Sequence, residues 1–368
     1  MQQYKATITA QAVMHFKVES AKVCVVTSVK NRKICVLGGG SFGTVIANML
    51  AENNHDVCLW LRNADRAAKM HIQHENLDHL PNYRLDERLH VSTDMAHALN
   101  NATLVFVSVP SKAFRDVLRQ AQPFLHADAI LVSTAKGIEP DGFWLMSDVL
   151  RQELPTHRIA VISGPNLAAE IAQRQLTGTV VASSDAAVCT LVQSLLRSSY
   201  FRVYSNSDVY GVELGGVLKN IYAIACGMAA ALGVGQNTIS LLITRSLAEM
   251  GRFAAKLGAD PLTLIGLAGV GDLIVTCSSP LSRNYRIGFA LGQGHTLEQA
   301  VAEVGQVAEG INTVHLVAMK AEELGVYMPL ANALNDIVFK GFDAAKVAVR
   351  LMSGDSNIDV EYRANLTK

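Results

Sequence analysis

Two lysines lie where a side chain could hold or transfer a proton. Lys219 begins an otherwise apolar helical pattern, and burial there would lower its pKa toward neutrality. Such an amine is a candidate general acid and base, and the alternative is an amine that reaches solvent along its own stem. Lys136 directly precedes Gly137 at the end of an apolar run, where the backbone can approach a ligand closely. We therefore predict acid–base chemistry at Lys219 and a ligand contact at Lys136.

A carboxylate and an arginine are the next candidates. Asp272 is the single charge of the glycine-rich segment 266–276, which we interpret as flexible, and it needs a partner such as a lysine or a substrate hydroxyl. Ser282 has the character of a helix N-cap, so that Arg283 and Asn284 begin the helix. The helix dipole disfavours an arginine at that end unless an anion lies beside it. An anion-binding position is therefore predicted at Arg283.

Three glycines, Gly38, Gly40 and Gly43, have the spacing G-x-G-x-x-G between a short apolar run and a helical pattern. In that context the first makes a tight turn, the second lets a diphosphate approach the backbone, and the third packs the helix on the strand. Free N–H groups at the start of the helix favour the same anion. The alternative is an ordinary glycine turn, but the strand-to-helix context favours a dinucleotide site.

The end of the second predicted strand indicates which dinucleotide is bound. An acidic residue there would bind the ribose hydroxyls of NAD. The chain has Arg62 instead, between Leu61 and Asn63, and a guanidinium can pair with a 2′-phosphate. We predict NADP or NAD as cofactor, with NADPH favoured or both accepted; the alternative is a solvated surface arginine.

In the first half of the chain, predicted strands alternate with predicted helices. This alternation implies parallel strands joined by right-handed crossovers. Apolar runs predict strands over residues 33–37, 57–61, 104–109, 129–133, 158–163, 179–182 and 201–204. Helical patterns cover residues 44–53, 209–232, 238–257, 284–291, 307–324 and 330–339. The predicted fold is an α/β Rossmann-type N-terminal domain with a mostly parallel sheet, followed by an all-α C-terminal domain.

The change from alternating strands and helices to helices alone divides the chain, and together with the N-terminal residues it predicts three segments. Residues 1–30 form an N-terminal extension that is either disordered or precedes the true start of translation. Residues 31–207 form the dinucleotide-binding Rossmann domain, and residues 208–368 form the helical substrate-binding domain. Two domains are expected because 368 residues exceed one ordinary core.

Charge and cysteine content argue against several classes of protein. Lysine plus arginine equals aspartate plus glutamate, at 32 each, so no overall field would hold the chain on nucleic acid or an anionic membrane. The six cysteines include no C-x-x-C pair, and several lie in apolar runs, which favours a reducing cytoplasm. The longest apolar stretch, 221–235, is shorter than the ~20 residues of a membrane span, so we interpret it as a buried helix.

Three histidines, His71, His74 and His79, invite a metal interpretation. No constellation of carboxylates or cysteines accompanies them. We interpret them as a solvated polar segment and predict no metal.

Together these motifs resemble those of the soluble bacterial NAD(P)-dependent glycerol-3-phosphate dehydrogenases. The resemblance extends over about residues 33–350, and the order and spacing of seven segments carry it. These segments are Gly38–Gly43, Lys136–Glu139, Ser163–Pro165, Leu214–Asn220, Gly269–Asp272, Ser282–Asn284 and Gln306–Gly310. The chain departs from the family pattern at Asn166, where a small hydroxyl residue is usual, and at Phe42, where tryptophan is common.

The resemblance implies reversible hydride transfer between NAD(P)H and dihydroxyacetone phosphate, giving sn-glycerol 3-phosphate for glycerophospholipid synthesis. Lys219 would be the proton donor and acceptor, and the other implied catalytic residues are Lys136, Asp272 and Asn220. The implied substrate-binding residues are Lys136, Gly164, Asn166, Lys219, Asp272, Thr276, Ser282, Arg283 and Asn284. The dinucleotide would contact Gly38, Gly40, Ser41, Phe42, Gly43, Arg62, Lys136, Ala168, Arg283, Val307 and Glu309.

Two other functions fit parts of the pattern. Another Rossmann-type dehydrogenase of a phosphorylated or acidic hydroxy substrate would share the architecture, although Arg283 favours a phosphate. A non-catalytic dinucleotide sensor would not need Lys136 and Lys219. We expect a small phosphorylated substrate, no nucleic-acid partner, no membrane span, a cytoplasmic location and, as the commonest assembly, a homodimer.

Overall fold

A computed structural model of the chain describes residues 32–305 and 309–353. The strands are β1 (Lys33–Leu37), β2 (Asp56–Trp60), β3 (Glu75–Asn76), β4 (Leu80–Arg84), β5 (Leu89–Ser92), β6 (Leu104–Val107), β7 (Ile130–Ser133), β8 (Ile138–Glu139), β9 (Trp144–Leu145), β10 (Arg158–Ser163), β11 (Thr177–Ala182) and β12 (Phe201–Asn206). The helices are α1 (Ser41–Glu52), α2 (Ala64–Gln73), α3 (Met95–Leu99), α4 (Ser111–Ala121), α5 (Met146–Glu153), α6 (Ala168–Ala172), α7 (Ala186–Leu196), α8 (Val209–Ala231), α9 (Gln236–Lys256), α10 (Asp272–Ser278), α11 (Arg283–Gly292), α12 (Leu297–Val304), α13 (Glu309–Leu324), α14 (Pro329–Lys340) and α15 (Ala344–Met352).

Eight strands form one sheet in the order β12-β11-β10-β7-β6-β1-β2-β5. Neighbouring strands are parallel throughout, except that β10 and β11 are antiparallel. The residues of β6 and β7 are all buried, as expected of central strands covered on both faces. Helices alone follow β12 in the described part of the chain. The predicted fold class is confirmed.

Several elements were not predicted from the sequence. The two-residue strands β3, β8 and β9 are too short to leave an apolar run, and β4 and β5 carry too many polar residues to read as strands. Helices α12 and α15 were also absent from the predicted set. Most of these elements lie in the connections between the predicted ones, but β5 adds an edge strand to the main sheet and α15 follows the last predicted helix.

The segment 266–276, which the sequence indicated to be flexible, is helical. A 3-10 turn (Pro261–Ile265) leads into a single π-helical stretch (Leu267–Gly271) and then into α10. A Cβ on Gly269 would lie 2.0 Å from the Leu264 carbonyl oxygen, so only a glycine lets the two turns pack. The glycines here serve close packing rather than mobility.

Three helices, α4, α5 and α14, begin after residues whose side chains make no capping hydrogen bond. Distant glutamates accept their free N–H groups instead, and of these Glu213 and Glu249 are buried and Glu309 is half-buried. The pairs are Ser111 N to Glu309 Oε1 (2.8 Å), Ser147 N to Glu213 Oε1 (3.0 Å), and Leu330 N and Ala331 N to Glu249 (2.5 and 3.1 Å). Burial raises the pKa of Glu213 and of Glu249 to about 7.

Helix α8 forms the centre of the helical half. It is long and apolar enough to cross a membrane by length and composition, but 78% of its most apolar window is buried in the structure. Its residues Leu218, Ile221 and Tyr222 are fully buried in a cluster shared with the surrounding helices. The apolar stretch is therefore a core helix, as the sequence indicated, and it ends at Ala231.

The change from strands to helices falls between Asn206 and Val209, next to the predicted boundary at residue 207. That boundary remains a prediction as a division between domains. The predicted extension over residues 1–30 lies outside the described residues, as do residues 31, 306–308 and 354–368.

Candidate active site

Two lysines converge on one buried carboxylate. Lys219 Nζ lies 2.5 Å from Asp272 Oδ1, and Lys136 Nζ lies 2.6 Å from Asp272 Oδ2. Lys219 also donates to Thr276 Oγ1 (2.8 Å), and Lys136 also donates to the Gly164 carbonyl (3.0 Å). Asp272 is fully buried, and a buried carboxylate needs partners for its charge. Each of its two oxygens has the amine of one lysine as that partner. The two amines are therefore held at fixed positions around one shared anion.

Strand ends and two helices bring these groups together. Lys136 follows β7 and Gly164 follows β10, and these strands are parallel neighbours, so both residues lie at the carboxyl edge of the sheet. Lys219 lies within α8. Asp272 and Thr276 are four residues apart in α10 and therefore share one face of that helix.

The glycines of α8 allow the close approach that the site needs. A Cβ on Gly215 would lie 2.4 Å from the Ala268 carbonyl oxygen, and a Cβ on Gly216 would lie 2.3 Å from Ser163 Oγ and 3.5 Å from Lys136 Cδ. A larger residue at either position would push α8 away from the segment before α10 or from the sheet. Two residues that weaken the helix by themselves thus let α8 lie close to the sheet and to the segment before α10.

Burial sets the proton affinity of Lys219. Its side chain is almost fully buried, which excludes the alternative of an amine that reaches solvent. Burial lowers its pKa to about 8; Asp272 opposes this shift, and Lys136 adds to it. An amine that titrates near neutral pH can both give and accept a proton.

The glycine loop has the geometry that a diphosphate requires. Gly38 has φ +118°, and a Cβ there would lie 2.5 Å from the Ser108 carbonyl oxygen. A Cβ on Gly43 would lie 2.1 Å from the Gly38 carbonyl oxygen, whereas a Cβ on Gly40 would meet no atom within 4 Å. Helix α1 starts at Ser41 without a side-chain cap or an acidic residue in its first turn. The open space at Gly40 and the uncapped N–H groups therefore fit a bound diphosphate.

Arg62 lies two residues beyond the end of β2 and is exposed. Among the described residues, no hydrogen bond or ion pair holds its side chain, so its guanidinium is available to a ligand. Phe42 follows Ser41 in the first turn of α1 and is half-buried.

His79 corrects the interpretation of the three histidines as a solvated segment. Its ring Nε2 lies 2.9 Å from Nη1 of Arg66, and its carbonyl accepts a hydrogen bond from Ser41 Oγ (2.7 Å). Burial lowers the pKa of His79, and the charges of Arg66 and Arg283 lower it further. The turn between β3 and β4 thus packs against the start of α1. Within residues 32–305 and 309–353, no group of three His, Cys, Asp or Glu side chains could hold a metal ion.

Arg283 is the first residue of α11, and Ser282 caps that helix, as predicted. The Arg283 side chain is half-buried; burial lowers its pKa, nearby Arg286 adds to this shift, and Glu309 opposes it. A desolvated cation is thus present where the sequence predicted an anion-binding position.

Helix α13 begins beside the lysine site. A Cβ on Gly137 would lie 3.3 Å from the Glu309 carboxyl carbon, which places Glu309 against the loop that carries Lys136. Asn284 Oδ1 accepts from Gly310 N (3.2 Å), and a Cβ on Gly310 would lie 3.0 Å from the Asn220 carbonyl oxygen. The predicted residues Asn220, Asn284 and Glu309 are therefore neighbours, while Val307 lies outside the described residues.

The turn after β10 contains contacts that the sequence did not predict. Asn166 Nδ2 donates to Thr179 Oγ1 (2.9 Å), and Thr179 Oγ1 donates to the Ser163 carbonyl (3.0 Å). Asn166 Oδ1 and Ser163 Oγ are buried without a hydrogen-bond partner among the described residues. Ala168 follows as the first residue of α6. Ser163 was within a recognised motif, whereas Thr179 lies in a strand and gave no signal.

Both halves of the chain match known proteins. The sequence profiles described as the N-terminus and the C-terminus of NAD-dependent glycerol-3-phosphate dehydrogenase match residues 33–189 and 208–349. A glycerol-3-phosphate dehydrogenase [NAD(P)+] of Saccharophagus degradans is 54% identical over 333 residues, which are 90% of this chain and 93% of that protein. One of Alcanivorax borkumensis is 55% identical over 328 residues, which are 89% of this chain and 96% of that protein.

Solved structures agree with this assignment. The crystal structure of glycerol-3-phosphate dehydrogenase from Coxiella burnetii has a TM-score of 0.85 and 36% sequence identity, and the match covers 88% of this chain and 99% of that one. The resemblance predicted from seven short segments is thus confirmed, and so are the oxidoreductase class and the dependence on NAD(P) that the relatives' names describe. The chain belongs to the NAD-dependent glycerol-3-phosphate dehydrogenase family.

Proposed function

We propose that this chain reduces dihydroxyacetone phosphate with NAD(P)H to sn-glycerol 3-phosphate, in a reversible reaction that feeds glycerophospholipid synthesis. The observation that carries the proposal is the buried Lys219, which shares Asp272 with Lys136 beside the carboxyl edge of the sheet. A dinucleotide sensor has no need of an amine whose pKa burial lowers to about 8.

Lys219 gives its proton to the carbonyl oxygen of the substrate during reduction and takes it back during oxidation. When bound, the reduced dinucleotide supplies the hydride. Asp272 keeps Lys219 charged enough to donate, and Thr276 fixes the direction of its Nζ through their hydrogen bond. Lys136, held by Asp272 and by the Gly164 carbonyl, stabilises the negative charge that develops on the same oxygen.

The remaining predicted residues bind and orient the two ligands. Arg283, Ser282 and Asn284 at the start of α11 take the substrate phosphate, which acts as a handle that fixes the carbonyl group. Asn166, Gly164 and Asn220 complete the substrate site. Gly40 and the start of α1 would hold the diphosphate of the cofactor, and Arg62 would pair with the 2′-phosphate of NADP. Ala168 and Glu309 would complete the cofactor site.

A coupled measurement with the purified full chain tests the proposal. Consumption of NADPH and of NADH is followed with dihydroxyacetone phosphate, and each rate is compared with the rate without the ketone. We expect consumption that depends on the ketone and yields sn-glycerol 3-phosphate as product. If neither cofactor is consumed in its presence, the proposal is wrong.

We propose further that the enzyme works in the cytoplasm as a homodimer. The described cysteines, Cys35, Cys58, Cys189, Cys226 and Cys277, are all free, which suits a reducing compartment. Cell fractionation tests the location. Sedimentation equilibrium tests the assembly, and the mass of a monomer at micromolar concentration would contradict it.

A further inference from the structure

We propose that Thr179 is a positioning residue for the substrate site, a role that rests on the function proposed above. Thr179 is fully buried in β11. Its hydroxyl joins the two ends of the turn 163–166, because it donates to the Ser163 carbonyl (3.0 Å) and accepts from Asn166 Nδ2 (2.9 Å). Its backbone lies against the middle of the same turn, since a Cβ on Gly164 would lie 3.3 Å from Thr179 Cα.

The hydroxyl also determines which way the amide of Asn166 faces. A threonine hydroxyl has one hydrogen to donate, and that of Thr179 goes to the Ser163 carbonyl. Its oxygen can therefore only accept from Asn166, so that the amide nitrogen must face Thr179 and Oδ1 must face away from it. Oδ1 is left as a buried acceptor without a partner among the described residues. Asn166 thus offers a hydrogen-bond acceptor, rather than a donor, on the side of the amide that Thr179 does not occupy.

The same turn connects Thr179 to the lysines. Gly164 has φ +141° within it, and its carbonyl accepts from Lys136 Nζ (3.0 Å). Lys136 in turn donates to Asp272, which is also the partner of Lys219. Loss of the Thr179 hydroxyl frees the Ser163 carbonyl and the Asn166 amide, and the turn that directs Lys136 loses its anchor. We expect this loss to weaken the binding of the substrate and not that of the dinucleotide. The two hydrogen bonds of this hydroxyl go to the turn 163–166, and among the described residues none goes to the glycine loop.

Steady-state kinetics of Thr179→Val tests this role, since valine keeps the shape and removes both hydrogen bonds. We expect the KM for dihydroxyacetone phosphate to rise about tenfold and the KM for NADPH to stay within about twofold of wild type. Thr179→Ser keeps the hydroxyl and should restore the substrate KM to within about twofold. The matched control is Thr177→Val, two residues earlier on the same strand, where the hydroxyl donates to the Gln175 carbonyl (3.0 Å) and, among the described residues, to no group of the turn 163–166. This control should leave both KM values unchanged.

Three results would overturn the inference: an unchanged substrate KM in Thr179→Val, equal rises in the two KM values, or a serine variant as impaired as the valine variant. If the valine variant does not fold, Thr179→Ala removes the same hydroxyl with a smaller side chain and is judged by the same criteria. A wild type without activity on dihydroxyacetone phosphate contradicts the proposed function instead. An active wild type with a fully active Thr179→Val variant contradicts only the role of Thr179.

Discussion

Lys219 and Asp272 are 53 residues apart in the chain, and Lys219 Nζ lies 2.5 Å from Asp272 Oδ1 in the interior of the protein. Neither side chain would be stable there alone, because an isolated buried charge is costly. Together they keep an amine in the site whose pKa is about 8.

Lys219→Ala should lose about 100- to 10,000-fold in turnover, because the proton donor is gone. The variant should still bind NADPH, since the glycine loop is untouched. Single-turnover rates and cofactor fluorescence measure the two properties separately. Lys256→Ala, an exposed lysine at the end of α9, is the control and should behave as wild type. Turnover of Lys219→Ala within a few-fold of wild type would remove Lys219 from the mechanism.

The two directions of the reaction should respond oppositely to pH. Reduction needs Lys219 protonated, so its rate should fall as the pH rises through about 8. Oxidation needs the neutral amine, so its rate should rise through the same range. Rates measured in both directions from pH 6 to pH 10 test this. Parallel profiles in the two directions would show that another group, or another step, controls the pH dependence.

Asp272→Asn should shift these profiles to lower pH. The Asp272 carboxylate raises the pKa of Lys219 against the effect of burial, and its loss also leaves Lys136 and Lys219 repelling each other. We expect a lower apparent pKa and a lower maximum rate of reduction. A loss of rate with an unchanged apparent pKa would indicate that Asp272 acts only by holding the lysines in place.

Arg283→Ala should weaken the binding of dihydroxyacetone phosphate by about 1.5–3 kcal/mol, the usual contribution of a charged hydrogen bond. Dihydroxyacetone, which has no phosphate, should be affected much less. The ratio of the two KM values in wild type and variant gives the result. Arg286→Ala, exposed on the next turn of α11, should have the smaller effect. Equal losses for both ketones would show that Arg283 does not bind the phosphate.

Arg62→Ala should raise the KM for NADPH about five- to tenfold and leave that for NADH almost unchanged; the exposure of Arg62 limits the size of the effect. Lys69→Ala, an exposed lysine on α2, is the matched control for a lost positive charge. A wild type that strongly prefers NADH, or a variant impaired with both cofactors, would exclude Arg62 as the discriminating residue.

Local sequence patterns were sufficient to predict the structural setting of several residues of this site. The glycine loop, the apolar helix around Lys219 and the N-cap Ser282 are encoded within a few residues, and the structure has each of them in the predicted setting. The helical state of Asp272 was missed because it depends on the packing of Gly269 against Leu264, which no local pattern shows.

Several contacts between distant segments had no signal in the local sequence. Thr179 reads as an ordinary strand residue, and only the antiparallel pairing of β10 with β11 brings it under the turn 163–166. That pairing was itself missed, because apolar runs alone do not report strand direction. His79 was misinterpreted for the same reason, since its neighbours Ser41 and Arg66 are fixed by tertiary packing.

The glutamates that cap α4, α5 and α14 bear on how the chain folds. Each cap joins residues 66 to 198 positions apart, so it can form only after long loops have closed. Peptides of these three helices should therefore be poorly helical in isolation, and their first turns should become ordered late in folding. Substitution of Glu213 or Glu249 is accordingly expected to accelerate unfolding more than it slows refolding.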